Sequence, residues 1–362
     1  MRAKASDRSP GAQEDPRPAV RAAVVWPSRA MVLLLTVAFA AGLRVPGWAQ
    51  YLPFAASLVL FGLPHGAVDH LVPARLAGRA ADWRSVLGVV LLYLALSVLC
   101  LALWFTAPAA AFVLFVCVTV FHWGAGELHA LLFFGLEELG GMGPASRALL
   151  LILRGCLPML IPLLFFPDAY RGVADAAAGL FGADAVALSG AFSPAFRFGV
   201  GTALAAVAGV FLLRAAGDLA AGRRALLPVA LETFLLFAFF AVVPPVLAVG
   251  LYFTLWHAPR HVARLVLLDR GGARYLGVGR PVRALARFAG EAAPLTVLAL
   301  ALLVGLLLAV PRPAGDPGSL LALYLVLVSA LTLPHASLVA YMDWRQGLWE
   351  RGRPLPDGAP GP

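Results

Sequence analysis

Apolar stretches close to the length of a membrane span recur along almost the whole chain, and this feature decides the class of fold. A helix crossing about 30 Å of hydrocarbon needs about 20 mainly apolar residues, because no water reaches its backbone polar groups. On that ruler ten spans are predicted, at approximately 30–44, 48–72, 85–106, 109–134, 145–166, 195–215, 226–243, 246–268, 291–310 and 319–341. The first is short, and the Pro244-Pro245 break is the weakest boundary. Little chain remains for a soluble core. With 61% hydrophobic and 13% charged residues, the chain is far from soluble domains, where about a quarter of residues are charged. The expectation is an all-α integral membrane protein, a bundle of about ten transmembrane helices forming one domain over 30–345.

Residues 1–29 are rich in charge and proline and lack the apolar core of a signal peptide, so they read as a disordered tail; 346–362 read as a second tail. The segment 167–193 reads as a loop with an interfacial helix. Basic residues concentrate on the cytoplasmic side of membrane proteins. With both termini inside, 22 basic residues fall on cytoplasmic segments and 4 on the opposite side, while Arg154 and Arg260 lie within spans. A multi-pass inner-membrane protein with both termini cytoplasmic follows. The net charge of +9 comes almost wholly from arginine and gives no reason to expect nucleic acid. Cys100, Cys117 and Cys156 lie in apolar stretches without CxxC spacing, so neither disulfides nor a thiolate metal site is indicated.

All seven histidines fall inside predicted spans: His65 and His70 in the second, His122 and His129 in the fourth, His257 and His261 in the eighth, His335 in the tenth. Ionisable groups in hydrocarbon are costly, and those that persist usually face the bundle interior, paired or functional. These four spans run in the same direction. At about 1.5 Å per residue, His257, His122, His261, His335 and His65 lie at similar depth, roughly 16–26 Å from the outer end, and can meet in one layer.

In WHAPRH, His257 and His261 are four apart, which places both rings on one helix face and suits two ligands of one metal. In LPHGAVDH, Asp69 follows His65 by one turn, where a carboxylate can accept a ligand histidine's second ring N–H. In FHWGAGELH, Glu127 follows His122 by five residues. Arg260 needs a counter-charge, for which Asp69 and Glu127 are candidates. His70 and His129 lie nearer the helix ends, in reach of interfacial water. Pro64, Pro259 and Pro334, with Gly66, Gly124 and Gly126, mark the same places and allow kinks and close helix approach. Phe121, Trp123, Tyr252, Phe253, Trp256, Tyr341 and Trp344 cluster near these motifs; the first five are candidate walls of a tunnel for an elongated apolar molecule.

Imidazole suits zinc, copper, iron and nickel alike, so ligand type does not name the metal. Iron with dioxygen, acting on a hydrocarbon, is the chemistry that most needs this location. LPHGAVDH, FHWGAGE, WHAPRH and LPHASL, in that order across about 60–345, resemble the Brp/Blh family of membrane β-carotene 15,15′-dioxygenases. The resemblance implies Fe(2+)-dependent cleavage of the central double bond of β-carotene by dioxygen, giving two all-trans-retinal. It implies His65, His122, His257 and His261 as iron ligands and places His335 at the site without a ligand role. Membrane lipid and a retinal-binding rhodopsin are the further partners it suggests. A haem-binding electron carrier, a desaturase-like di-iron enzyme and a metal or proton transporter are the competing readings; no HH dipeptide supports the second.

Overall fold

A computed structural model describes residues 15–351 apart from 136, 184–185, 220–222 and 312–314. Among these residues every regular element is helical. The chain begins with α1 (Arg17–Ala40), followed by two short helices, α2 (Leu52–Ser57) and α3 (Val72–Leu76), on either side of an irregular connector. Next come α4 (Trp83–Thr106), α5 (Pro108–Phe134), α6 (Pro144–Phe165), the short α7 (Pro167–Gly179) and α8 (Pro194–Asp218). The second half holds α9 (Arg223–Val242), α10 (Pro245–Leu251), α11 (Ala258–Leu268), α12 (Arg270–Gly277), α13 (Pro281–Ala309) and α14 (Pro317–Arg345).

Eight of these, α1, α4, α5, α6, α8, α9, α13 and α14, are long and apolar enough to cross a membrane, and the chain is a multi-pass membrane bundle. The second predicted span is not a continuous helix, whereas the eighth is helical throughout 245–268. Between 58 and 71 the chain turns repeatedly, because Gly62, Pro64 and Gly66 sit within five residues and proline in a helix interior removes a hydrogen bond and clashes with the preceding turn. Over 246–268 the helix widens into a π turn at Tyr252–His257 just before Pro259. The first span also differs from expectation. It starts at Arg17, so 17–29 is helical rather than tail, and Arg21 anchors it through the carbonyls of Phe134 (2.6 Å) and Gly135 (2.7 Å). Residues 1–14 and 352–362, which hold the rest of the two predicted tails, lie outside the described residues. The predicted loop at 167–193 contains α7, as expected.

Proline opens α5, α6, α7, α8, α10, α13 and α14, where its missing N–H costs nothing. Asp82 caps α4 by accepting from the Ser85 amide (2.8 Å), and Asp316 with Ser319 forms a capping box on α14. Of the eight spanning helices α6 and α14 are the most enclosed, while α4 and α8 face largely outward. α5 and α6 approach through glycine: a Cβ at Gly124 would lie 2.2 Å from the Leu151 carbonyl oxygen, and one at Gly155 would lie 1.9 Å from that of Val120.

Pro334 inside α14 cannot donate to the carbonyl of Ala330, and Ser97 of α4 takes that carbonyl at 3.0 Å. Two turns further along α4, the Trp104 indole donates to Ser329 (2.7 Å). Polar contacts between spanning helices typically contribute about 0.6 kcal/mol each. Their greater effect here is on register: they fix the level of the following residue, His335, against α4.

Candidate metal centre

Five histidines from four parts of the chain converge. His65 comes from the irregular connector, where its Nδ1–H donates to the Gly62 carbonyl and lies 3.1 Å from that of Phe61, turning Nε2 the other way. His122 comes from the middle of α5, His257 from the π turn, His261 from the first turn of α11 and His335 from α14. Their ring centroids lie 4.7 Å (His122–His335), 4.9 Å (His65–His335 and His122–His257), 5.1 Å (His261–His335) and 5.5 Å (His65–His261) apart. All five are buried. Gly126 makes room for one of them, since a Cβ there would sit 3.0 Å from Cε1 of His257. π turns are frequent at functional sites because they re-aim a side chain without ending the helix; this one lies immediately before the HxxxH pair's proline.

His70 and His129 stay outside the cluster. His70 lines the adjoining cavity, and His129 stacks on Phe133 at 5.5 Å.

The carboxylates take partners other than those expected. Asp69 does not pair with His65; its Oδ2 accepts from Nδ1 of His335 at 2.6 Å and also from the Tyr93 hydroxyl. The i, i+4 argument fails because the connector between His65 and Asp69 is not helical. Glu127 turns away from the imidazoles, accepting from the Trp256 indole (2.7 Å) and from Arg154, whose guanidinium also reaches Glu232 at 2.5 Å. Glu232 in turn accepts from Arg29 (2.5 Å). Arg260 donates to the Trp256 carbonyl (2.8 Å) and lies 3.8 Å over that ring, so neither proposed carboxylate is its direct partner. This buried ion network backs Trp256, directly behind His257. Arg154 and Glu232 were both visible as charges inside predicted spans, and pairing one with the other was the available inference. Nothing in the sequence singled out Tyr93.

On the other side of the cluster lies an apolar cavity of about 650 Å³, whose wall includes His65, His122, His335 and Asp69. Of the five expected tunnel aromatics, Trp123 and Phe253 line it. Phe121 is exposed on the outside of α5, and Tyr252 and Trp256 are fully buried in the packing behind His257. Much of the wall is aliphatic. Leu94 and Val98 of α4 and Leu298 and Leu302 of α13 line the cavity yet are also exposed, so it opens between these two helices toward the lipid. Away from the histidines it reaches Phe105, Phe112, Tyr170 and Val173, where Tyr170 of α7 meets Phe112 edge-on at 6.1 Å.

The donor set fits a metal ion. Nε2 of His122 and Nε2 of His257 face each other at 3.1 Å, the separation of two neighbouring ligands when metal–imidazole bonds are about 2.0–2.1 Å. Nδ1 of His122 and Nε2 of both His261 and His335 are buried without a hydrogen-bond partner among the described residues. An unsatisfied buried polar group costs about 1–3 kcal/mol, and a shared cation removes that cost for the nitrogens that reach it.

A family model described as beta-carotene 15,15′-dioxygenase matches residues 56–343, a stretch containing all five clustered histidines. The chain belongs to this family. A relative in Halobacterium salinarum named probable beta-carotene 15,15′-dioxygenase Blh is 45% identical over 315 residues, covering 85% of this chain and 88% of that one. A second from the same organism, named probable beta-carotene 15,15′-dioxygenase Brp, is 32% identical over 343 residues, covering 89% and 92%. A beta-carotene 15,15′-dioxygenase of an uncultured marine bacterium is 30% identical over 90 residues, 25% of this chain and 31% of its own. No solved structure matches the chain. Within the family frame, the four motifs named from the sequence are the four segments that deliver the clustered imidazoles.

Proposed function

We propose that this protein cleaves β-carotene at its central 15,15′ double bond with dioxygen, giving two all-trans-retinal, and that it does so with Fe(2+) held by His65, His122, His257 and His261. The observation that carries the reading is the juxtaposition of a five-imidazole cluster with an apolar cavity open to the lipid. The names of the 45% and 32% identical relatives support the same reaction. When bound, ferrous iron supplies the site at which dioxygen is activated beside the polyene.

The chain's own residues supply position and dryness. The polyene enters from lipid between α4 and α13, and Trp123 and Phe253 hold it beside the histidines. Apolar walls keep water from the reacting carbons. From Tyr93, level with His335 through Asp69, to Phe105 the cavity follows twelve residues of α4, about 18 Å of helix. One half of a long polyene occupies that length, and the wall at Phe105, Phe112 and Tyr170 stops it so that its centre lies at the cluster. The remote contacts therefore decide which bond is presented.

A haem carrier fits less well, because imidazole rings packed 4.7–6.4 Å from one another leave no slot for a porphyrin. The basic-residue bias supports an inner-membrane location with both termini cytoplasmic, and the membrane-embedded product suits transfer to a retinal-binding rhodopsin. The test is expression in cells that make β-carotene, followed by pigment extraction. Loss of the yellow pigment with formation of retinal supports the reading; unchanged β-carotene with abundant membrane-inserted protein overturns it.

A further inference from the structure

The four-histidine set leaves one imidazole of the cluster without a task. His335 lies deeper in the group than a bystander would: its ring is 4.7, 4.9 and 5.1 Å from those of His122, His65 and His261. One nitrogen each of His65, His122 and His335 lie within 4.8 Å of one another, the closeness expected of donors to a single ion. Its two nitrogens have different surroundings. Nδ1 donates to Asp69 Oδ2 at 2.6 Å, while Nε2 is buried with no hydrogen-bond partner among the described residues.

A neutral imidazole carries one proton, and a carboxylate at Nδ1 holds it there, leaving the Nε2 lone pair free. That arrangement recurs behind metal-bound histidines, where the carboxylate fixes tautomer and ring orientation and raises basicity. Asp69 is itself held. It is buried, and the Tyr93 hydroxyl donates to the same oxygen. Tyr93 lies one turn before Ser97, which donates to the Ala330 carbonyl left free by Pro334, so a single face of α4 sets both the height of His335 and its acceptor.

We propose that His335 is a further ligand of the metal centre, presenting Nε2, and that Asp69 and Tyr93 are positioning residues acting through it. The inference rests on the metal centre proposed above. It assigns the carboxylate in LPHGAVDH to the histidine of LPHASL rather than to the one in its own motif.

The test uses the full-length protein in detergent, stripped and reloaded with Fe(2+), with bound iron measured by elemental analysis and its nitric oxide adduct by electron paramagnetic resonance. His335→Gly is expected to weaken iron binding at least tenfold, and added imidazole to restore it, which a misfolded variant does not allow. Asp69→Asn keeps the side chain's shape and is expected to weaken binding by about 10–100-fold and to alter the resonance of the iron that remains. Tyr93→Phe should alter the resonance less. Wild-type iron affinity and an unchanged resonance in His335→Gly overturn the ligand role while leaving the four-histidine centre intact; should His335→Gly not be obtained folded, an unchanged resonance in Asp69→Asn does the same. A wild-type protein that binds no iron overturns the centre and the inference together.

Discussion

His122 and His257 face one another through their Nε2 atoms at 3.1 Å, although 135 residues separate them in the chain. Two imidazole nitrogens at that distance share either a proton or a cation. Because a Cβ on Gly126 would press on the His257 ring at 3.0 Å, the relationship depends on a glycine as much as on the two rings.

The first prediction concerns this pair. His122→Ala and His257→Ala should each lower iron affinity by more than the about 10–100-fold typical of an outer-shell partner, and retinal formation should fall in parallel. Gly126→Ala should give a smaller loss of the same kind. Metal content after dialysis against a chelator checks all three, and full loading of either histidine variant rejects the pair as ligands.

Removal of Arg154 should be felt as instability before it is felt as lost chemistry. It stands between Glu127 and Glu232 with no exposure to solvent. Breaking a buried pair by deleting one partner typically costs about 3–5 kcal/mol, since the other charge stays buried. Arg154→Met should therefore lower the thermal midpoint of the detergent-solubilised protein sharply, and the additional change Glu127→Gln should recover part of it. A midpoint equal to wild type in Arg154→Met contradicts the network's role.

Product length tests the stop at the far end of the cavity. Phe105→Ala combined with Phe112→Ala should let the polyene slide deeper, yielding apocarotenals of unequal length alongside retinal, with iron content unchanged. Chromatography of extracted pigments distinguishes these products. Retinal alone, at the wild-type rate, means that another part of the wall sets the position of cleavage.

Entry from lipid predicts a different response at the mouth. Leu94→Trp with Leu298→Trp narrows the gap between α4 and α13 and should slow the disappearance of β-carotene several-fold without shifting product length or iron content. Unaltered turnover in that variant moves the entrance elsewhere.

Orientation is the last expectation. Reporter fusions to the C-terminus should be active only as cytoplasmic reporters, in keeping with the 22 basic residues on one side and 4 on the other when the sequence is divided into the ten predicted spans.

The membrane class, most of the spans and the grouping of five histidines at one depth follow from the sequence alone, because hydropathy and helical rise depend only on what each segment contains. LPHGAVDH, FHWGAGE, WHAPRH and LPHASL likewise carried the family in their order. Tertiary structure decided which partner each side chain took. The i, i+4 rule that linked Asp69 to His65 holds only within a continuous helix; Gly62, Pro64 and Gly66 break it, and the carboxylate turns to His335 on α14 instead. Tyr93 is an ordinary residue in an apolar run until the fold brings it to Asp69. Glu127 lies five residues from His122 in sequence yet answers to Arg154, since a buried carboxylate is settled by the nearest desolvated cation rather than by its chain neighbours. Aromatic clustering in sequence also misassigned the wall: Phe121 and Trp123 are two residues apart, but the helical turn sends one outward and the other into the cavity.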